Sequence, residues 1–239
     1  MLIKCSRHTE KDINMWESYC EFDILYFLIN ERKIKLKIEA VLNEIYKFKA
    51  DYISISWGKD STVLAHLCKD LQLPFVCFRN RFENPYNDIV KNDFISKYSI
   101  NYIEYWSEIT DKNYINEQVQ FHTIKAYKKA QKDYGDKCIL GIRQDESPSR
   151  TLSAIKFGIS SKLKCRPLLR WSVNDIFAYL EKFELPVHPN YAMLGGGRYP
   201  RDKIRVGPLS MGSQKGAELW EKEYYGDLLN RLNKNTRRH

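Results

Sequence analysis

Residues 54–62 read SISWGKDST, and no other stretch constrains the fold of this chain as tightly. The lead-in from Tyr52 to Ile55 has the composition of a strand, and Val63, Leu64, Leu67, Cys68 and Leu71 then recur at helical spacing. A strand must turn into a helix across Gly58, Lys59, Asp60, Ser61 and Thr62. A helix N-terminus offers unpaired N–H groups and a partial positive charge, and a glycine beside it lets a ligand approach the backbone. The junction therefore suits phosphate. The competing reading is an ordinary turn at Gly58, with Ser61 or Thr62 as a plain N-cap. A Walker A loop is disfavoured, because that pattern places a glycine where Ile53 stands.

The rest of the chain weighs on that choice. PFVCF at 74–78 reads as a second strand, NPYNDIVKNDFISKY as a helix capped by Asn84 or Asn87, and INYIEYW as a third strand. A longer helix is expected from Asn113 to Tyr134 with Gly135 as its stop, and KCILGI at 137–142 as a fourth strand. Alternation at this spacing predicts an α/β fold, a doubly wound, mainly parallel sheet with helices on both faces. Ligands of such sheets sit outside the carboxyl ends of the strands. SISWGKDST and GIRQDESPSR (141–150) fall on that same edge, which favours the phosphate reading over the ordinary turn.

Before the first strand, Ile34, Ile38, Val41, Leu42, Ile45 and Phe48 mark a helix covering one side of the sheet. Beyond residue 151, Ser172 and Asp175 open SVNDIFAYLEKF as a capping box, and Pro186 closes it. LPVHPNYAMLGGGRYPRDKIRVG follows, with three consecutive glycines and the basic residues Arg198, Arg201, Lys203 and Arg205; its composition predicts a mobile loop or lid. A last helix, about Gln214 to Leu232, precedes a basic tail. The expected division is a helical segment at 1–50, a nucleotide-binding domain at 51–210, and a helix with tail at 211–239.

Hydrophobic residues at 43% and charged residues at 29% describe an ordinary globular chain, and the formal charge of +9 favours anionic partners. The apolar run FDILYFLI is too short to span a bilayer, so the chain reads as cytoplasmic with no membrane association. The six cysteines, at 5, 20, 68, 77, 138 and 165, show no metal-ligand spacing, so neither structural zinc nor an iron–sulfur cluster is expected.

Three segments carry a family resemblance. Ser56-Trp57-Gly58-Lys59-Asp60-Ser61-Thr62 resembles the Ser-x-Gly-Lys-Asp-Ser-Thr loop of the PP-loop ATP-pyrophosphatases, the adenine nucleotide alpha-hydrolases, in the branch of phosphoadenosine phosphosulfate (PAPS) reductase and the small subunit of ATP sulfurylase. Gly141-Ile-Arg143-Gln-Asp145-Glu146-Ser147-Pro-Ser-Arg150 is similar to its Gly-x-Arg-x-Asp-Glu-Ser-x-x-Arg segment, and Pro167-Leu168-Leu-Arg-Trp171 to its Pro-Leu-x-x-Trp. Trp57 stands where the family commonly has glycine, so a stiffer loop or a base stacked nearby is expected. Arg79 and Arg81 stand where relatives carry an acidic residue.

The resemblance implies a division of labour. Ser54, Ser56, Trp57, Gly58, Lys59, Ser61 and Thr62 would hold phosphates, with Lys59 neutralising charge and Asp60 holding magnesium through water. Gly141 and Arg143 would face the nucleotide from the second segment; Arg143, Arg150 and Arg205 would grip its anionic end, and Asp145 and Glu146 would anchor the arginines or orient a second substrate. Lys59, Asp60, Ser61 and Arg143 form the expected catalytic set. The ligand expected is ATP with Mg2+, with PAPS as the alternative. PAPS reductases use a cysteine in a C-terminal Glu-Cys-Gly-x-His segment, whereas this chain has none after Cys165, so the resemblance points to cleavage of ATP to pyrophosphate and an adenylated acceptor. The alternatives are sulfonucleotide binding or reduction, with Cys165 beside Arg166 as the thiol, and an accessory protein that senses nucleotide or meets nucleic acid through loop 198–205 and the tail.

Overall fold

A computed structural model of the chain describes residues 1–80, 83–107, 119–209 and 217–236. Five strands, β1 (Tyr52–Ile55), β2 (Phe75–Arg79), β3 (Tyr102–Trp106), β4 (Cys138–Leu140) and β5 (Lys164–Cys165), form a parallel sheet in the order β3-β2-β1-β4-β5. Ile53 pairs with Phe75 on one side and Ile139 on the other. The chain builds outward from β1 to β2 and β3, then crosses back to lay β4 against the other edge of β1. The order thus reverses between β1 and β4, where an open α/β sheet leaves a crevice.

Strand side chains alternate between faces. Ile53, Ile55, Phe75, Cys77 and Ile139 join one core cluster, while Tyr52, Val76 and Cys138 join another with Ala130. The second face is covered by α5 (Val119–Tyr134), which stops where Gly135 adopts a left-handed φ of 121°. The part of this helix expected from Asn113 lies outside the described residues. The first face receives α3 (Lys59–Leu67), α4 (Asn87–Lys97), the N-terminal pair α1 (Glu10–Ile29) and α2 (Glu31–Phe48), and α7 (Val173–Lys182). Trp16 of α1 meets Phe177 of α7 edge to face, with ring centroids 5.9 Å apart. Between β4 and α7 lies α6 (Pro148–Phe157), and α8 (Ala217–Thr236) closes the chain; the expected start of α8 at Gln214 is outside the described residues.

The expected lid is instead largely core. Leu185 and every residue from Val187 to Leu194 are buried, and Trp220 of α8 donates its indole N–H to the Met193 carbonyl at 2.8 Å. Arg201, expected at a basic loop surface, is buried in a two-pronged ion pair with Asp23 of α1 at 2.5 and 2.6 Å, its guanidinium over the rings of Phe177 and Tyr19. The apolar residues outweigh the three consecutive glycines, Gly195, Gly196 and Gly197, which form one turn of left-handed backbone. Among the described residues no helix is long and apolar enough to cross a membrane.

Candidate active site at the β1 and β4 carboxyl ends

The chain leaves β1 at Ile55 and enters α3 at Lys59, so the loop Ser56–Gly58 sits at the crevice. Ser61 sews that loop together: its hydroxyl accepts the Ser56 N–H at 3.1 Å and donates to the Gly58 carbonyl at 3.2 Å. The Ser56 side chain stays exposed, Ser54 is half-buried in β1, and Thr62 is buried in the first turn of α3. Trp57 has a φ of 58°, a left-handed conformation that costs a bulky residue energy and a glycine almost none. That strain gives a physical reason for glycine at this position in similar loops. The Trp57 ring is 1% exposed and packs on Phe94 and Tyr102, donating to the Tyr102 hydroxyl at 3.3 Å. The ring is turned into the core, so the indole itself offers no face to a base.

Gly141, just past β4, abuts the first turn of α3. A Cβ there would lie 3.0 Å from the Asp60 carbonyl oxygen and 3.1 Å from the Ser61 Cα. This close approach brings Arg143 to Asp60. Arg143 is 2% exposed; its Nε donates to Asp60 Oδ1 at 2.5 Å, and its Nη1 pairs with Asp145. Lys59 Nζ takes the other Asp60 oxygen at 3.0 Å. Burial works to raise the Asp60 carboxyl, yet Lys59 and Arg143 hold it below the usual carboxylate range. Glu146 Oε2 accepts the Arg143 N–H at 3.0 Å and pairs with Arg150, while the Glu146 carbonyl accepts from Arg205.

Beside this cluster opens a pocket of about 510 Å³ lined by Arg143, Asp145, Glu146, Ser147, Pro148, Val173, Asp202, Lys203 and Arg205. Arg150 loses proton affinity through burial and through repulsion from Arg205 and Arg143. The guanidinium forks of Arg143 and Arg205 on this pocket have the geometry to grip an oxyanion. The loop residues do not line the pocket; Arg143 connects the two. Of the basic residues at 198–205, Lys203 and Arg205 face the pocket, whereas Arg198 pairs with Glu223 at 2.5 Å and Arg201 with Asp23.

Magnesium at Asp60 does not fit this donor set, since both carboxylate oxygens are engaged by cations. Among the described residues no group of three or more His, Cys, Asp or Glu is placed to hold a metal ion. Cys165 fits a nucleophile equally poorly. It is fully buried, burial raises its thiol, and Arg166 is directed away to Ser153 and the Gly158 carbonyl, both at 2.8 Å. Arg79 is neutralised by Glu83, Asp88 and Glu104, at 2.6, 2.9 and 2.6 Å; Arg81 lies outside the described residues. Sequence reasoning missed Tyr191, whose hydroxyl oxygen accepts the Lys59 N–H at 3.1 Å from a turn 132 residues away.

The family model described as the phosphoadenosine phosphosulfate reductase domain matches residues 51–194, which span the loop, the buried ion cluster and the pocket lining except Asp202, Lys203 and Arg205. The chain is 36% identical over 84 residues to the phosphoadenosine 5'-phosphosulfate reductase of Photobacterium profundum, covering 34% of this chain and 27% of that protein. It thus spans about a quarter of that curated relative. Among solved structures it is similar to the phosphoadenylyl-sulfate (PAPS) reductase of Candida auris in its phosphate complex, with a TM-score of 0.55, 14% identity, and coverage of 78% of this chain and 94% of that one. The NMN synthetase of Francisella tularensis is similar at a TM-score of 0.50 and 14% identity, covering 87% and 93%. These two likenesses concern the fold.

Proposed function

Because the chain belongs to the phosphoadenosine phosphosulfate reductase domain family, we propose that it binds an adenine nucleotide at the β1 and β4 crevice and cleaves ATP between its α and β phosphates. An acceptor oxygen attacks the α-phosphorus, the bond to the bridging oxygen breaks, and pyrophosphate leaves as the acceptor becomes an adenylate. The observation that carries this reading is the convergence of Arg143, Lys203 and Arg205 on one pocket, with Arg143 bonded to Asp60 in the first turn of α3.

Such a reaction asks the protein mainly to position phosphates and to stabilise charge developing on the leaving group. The guanidiniums and Lys203 supply that charge. Lys59 sits within the buried cluster, and a phosphate oxygen reaching it competes with Asp60 for the ammonium. Asp60 keeps both carboxylate oxygens on Lys59 and Arg143 and leaves none for magnesium. Adenylation is favoured over reduction because Cys165, the thiol beside Arg166, is buried with a raised pKa.

The test is pyrophosphate release from ATP by purified protein supplied with candidate acceptors, read against Arg143→Gln. Release that falls in the variant supports the assignment; equal release from both proteins would remove Arg143 from the site.

A further inference from the structure

At the start of α3 the first backbone N–H is already engaged. The Lys59 N–H donates to the hydroxyl of Tyr191 at 3.1 Å, and a Cβ at Gly58 would lie 3.3 Å from that same oxygen. Tyr191 comes from the short 3-10 turn Pro189–Ala192, in which the Tyr191 N–H bonds the His188 carbonyl at 3.1 Å and the Asn190 N–H bonds His188 Nδ1 at 3.1 Å. The Tyr191 ring is 2% exposed, lies edge-on to Phe177, and has the Lys59 ammonium 5.3 Å from its centroid. Burial and these contacts hold the ring against Phe177 with its hydroxyl at the Lys59 N–H.

A phenol carries one proton and can accept as well as donate. Its acceptor function is used by the Lys59 N–H, which directs the proton elsewhere in a setting that also holds Lys59, Asp60 and Arg143. Burial keeps the phenol protonated, with its pKa above the ordinary value. A buried hydroxyl normally finds a partner for its proton.

We propose that Tyr191 is a phosphate-contact residue: its O–H, polarised by the Lys59 N–H behind it, donates to a phosphate oxygen of the ligand in place of the amide it covers. The inference rests on the nucleotide reading above and adds a residue to it. Because the hydroxyl replaces an amide of the α3 N-terminus, it makes the loop selective for ligands that bring an anionic oxygen to this point, and it adds nothing for adenosine.

The experiment is calorimetric titration of wild-type protein and Tyr191→Phe with ATP, inorganic pyrophosphate and adenosine, with thermal melting of both proteins alongside. Phenylalanine keeps the ring and its packing. The expected result is binding of ATP and pyrophosphate weakened on the order of tenfold or more, as for loss of a hydrogen bond to a charged group, with adenosine binding unchanged; Tm falls modestly, since the Lys59 N–H loses its acceptor, and the titrations are read below the variant's melting transition. Equal affinity of both proteins for ATP and pyrophosphate would overturn the Tyr191 role and leave the nucleotide reading intact. Equal weakening for adenosine would also overturn it, since the residue would then be structural. Pyrophosphate binding that depends on Tyr191, without ATP binding, would keep the contact and remove the nucleotide reading. No binding of any ligand by the wild type would remove both.

Discussion

Arg143 Nε and Asp60 Oδ1 lie 2.5 Å apart, joining the segment after β4 to the first turn of α3 across 83 residues of sequence. With Lys59 they make a buried cluster of two cations and one carboxylate at the edge where the strand order reverses, and the exposed carboxylate of Asp145 joins Arg143 at its rim.

Asp60→Asn removes the charge that compensates Lys59 and Arg143, leaving two buried cations with Asp145 alone. Breaking one partner of a buried ion cluster costs about 3 kcal/mol or more, so the urea midpoint should fall markedly. The folded carboxyl is depressed below its unfolded value, so its stabilisation is present above about pH 3.9 and is lost on further acidification. An unchanged midpoint for the variant at pH 7 would mean that the cluster contributes no stability.

Gly141→Ala tests the close approach that brings the two segments together. The new methyl would lie 3.0 Å from the Asp60 carbonyl oxygen, a backbone atom with little room to yield. Overpacking of this kind costs about 1–3 kcal/mol, and displacement of Arg143 should weaken nucleotide binding beyond the stability effect. Titration of the folded variant with ATP separates the two.

Trp57→Gly relieves the left-handed strain and also deletes a buried ring. Removing a core Trp side chain costs about 3–5 kcal/mol, and relief of a bulky residue's αL conformation returns about 1–2, so the net change should be destabilising. ATP affinity of the folded variant should stay within a few-fold of wild type, because the ring faces Phe94 and Tyr102. A collapse of affinity without a loss of stability would place the indole at the ligand.

Arg201 and Arg205 stand close in sequence and should behave oppositely. Arg201→Ala strands the buried Asp23 carboxylate and should cost about 3–5 kcal/mol with little effect on ligand affinity once folded. Arg205→Ala removes a half-buried pocket cation and should weaken ATP binding while leaving Tm nearly unchanged. Melting curves and titrations of both variants decide the assignment.

Stability should fall in mild acid. Burial depresses His66 to about 4 and His188 to about 3, so each is neutral in the folded chain and takes up a proton on unfolding. Their contribution is full above the unfolded value of about 6.5 and is lost as pH drops toward the folded values. His8 has the opposite sign: its raised pKa gives stability that is present below about 6.5 and lost as pH rises through its folded value. Two residues outweigh one, so the urea midpoint at pH 5 should lie below that at pH 7.5; a higher midpoint at pH 5 contradicts the burial of the two histidines as neutral groups.

The strand-to-helix junction at 54–62 was legible because its signals are local: a β-branched run, a glycine, and a periodic apolar helix. Gly135 was legible as a helix stop for the same reason. The stretch at 185–205 was misread because three glycines and four basic residues dominate its composition, while the partners that bury it, Asp12, Asp23, Trp220 and Tyr224, lie far along the chain. The direction of the Trp57 ring and the arrival of Tyr191 at Lys59 depend on packing between distant segments, and no local pattern announces either. The two-residue strand β5 is too short to carry any periodicity.

The most direct test of the nucleotide site is calorimetric titration of nucleotide-free protein with ATP plus magnesium and, in parallel, with PAPS. The expected result is saturable ATP binding that is tighter than PAPS binding and is weakened about tenfold or more by Arg143→Gln. Saturable PAPS binding without ATP binding, or silence with both, would contradict it.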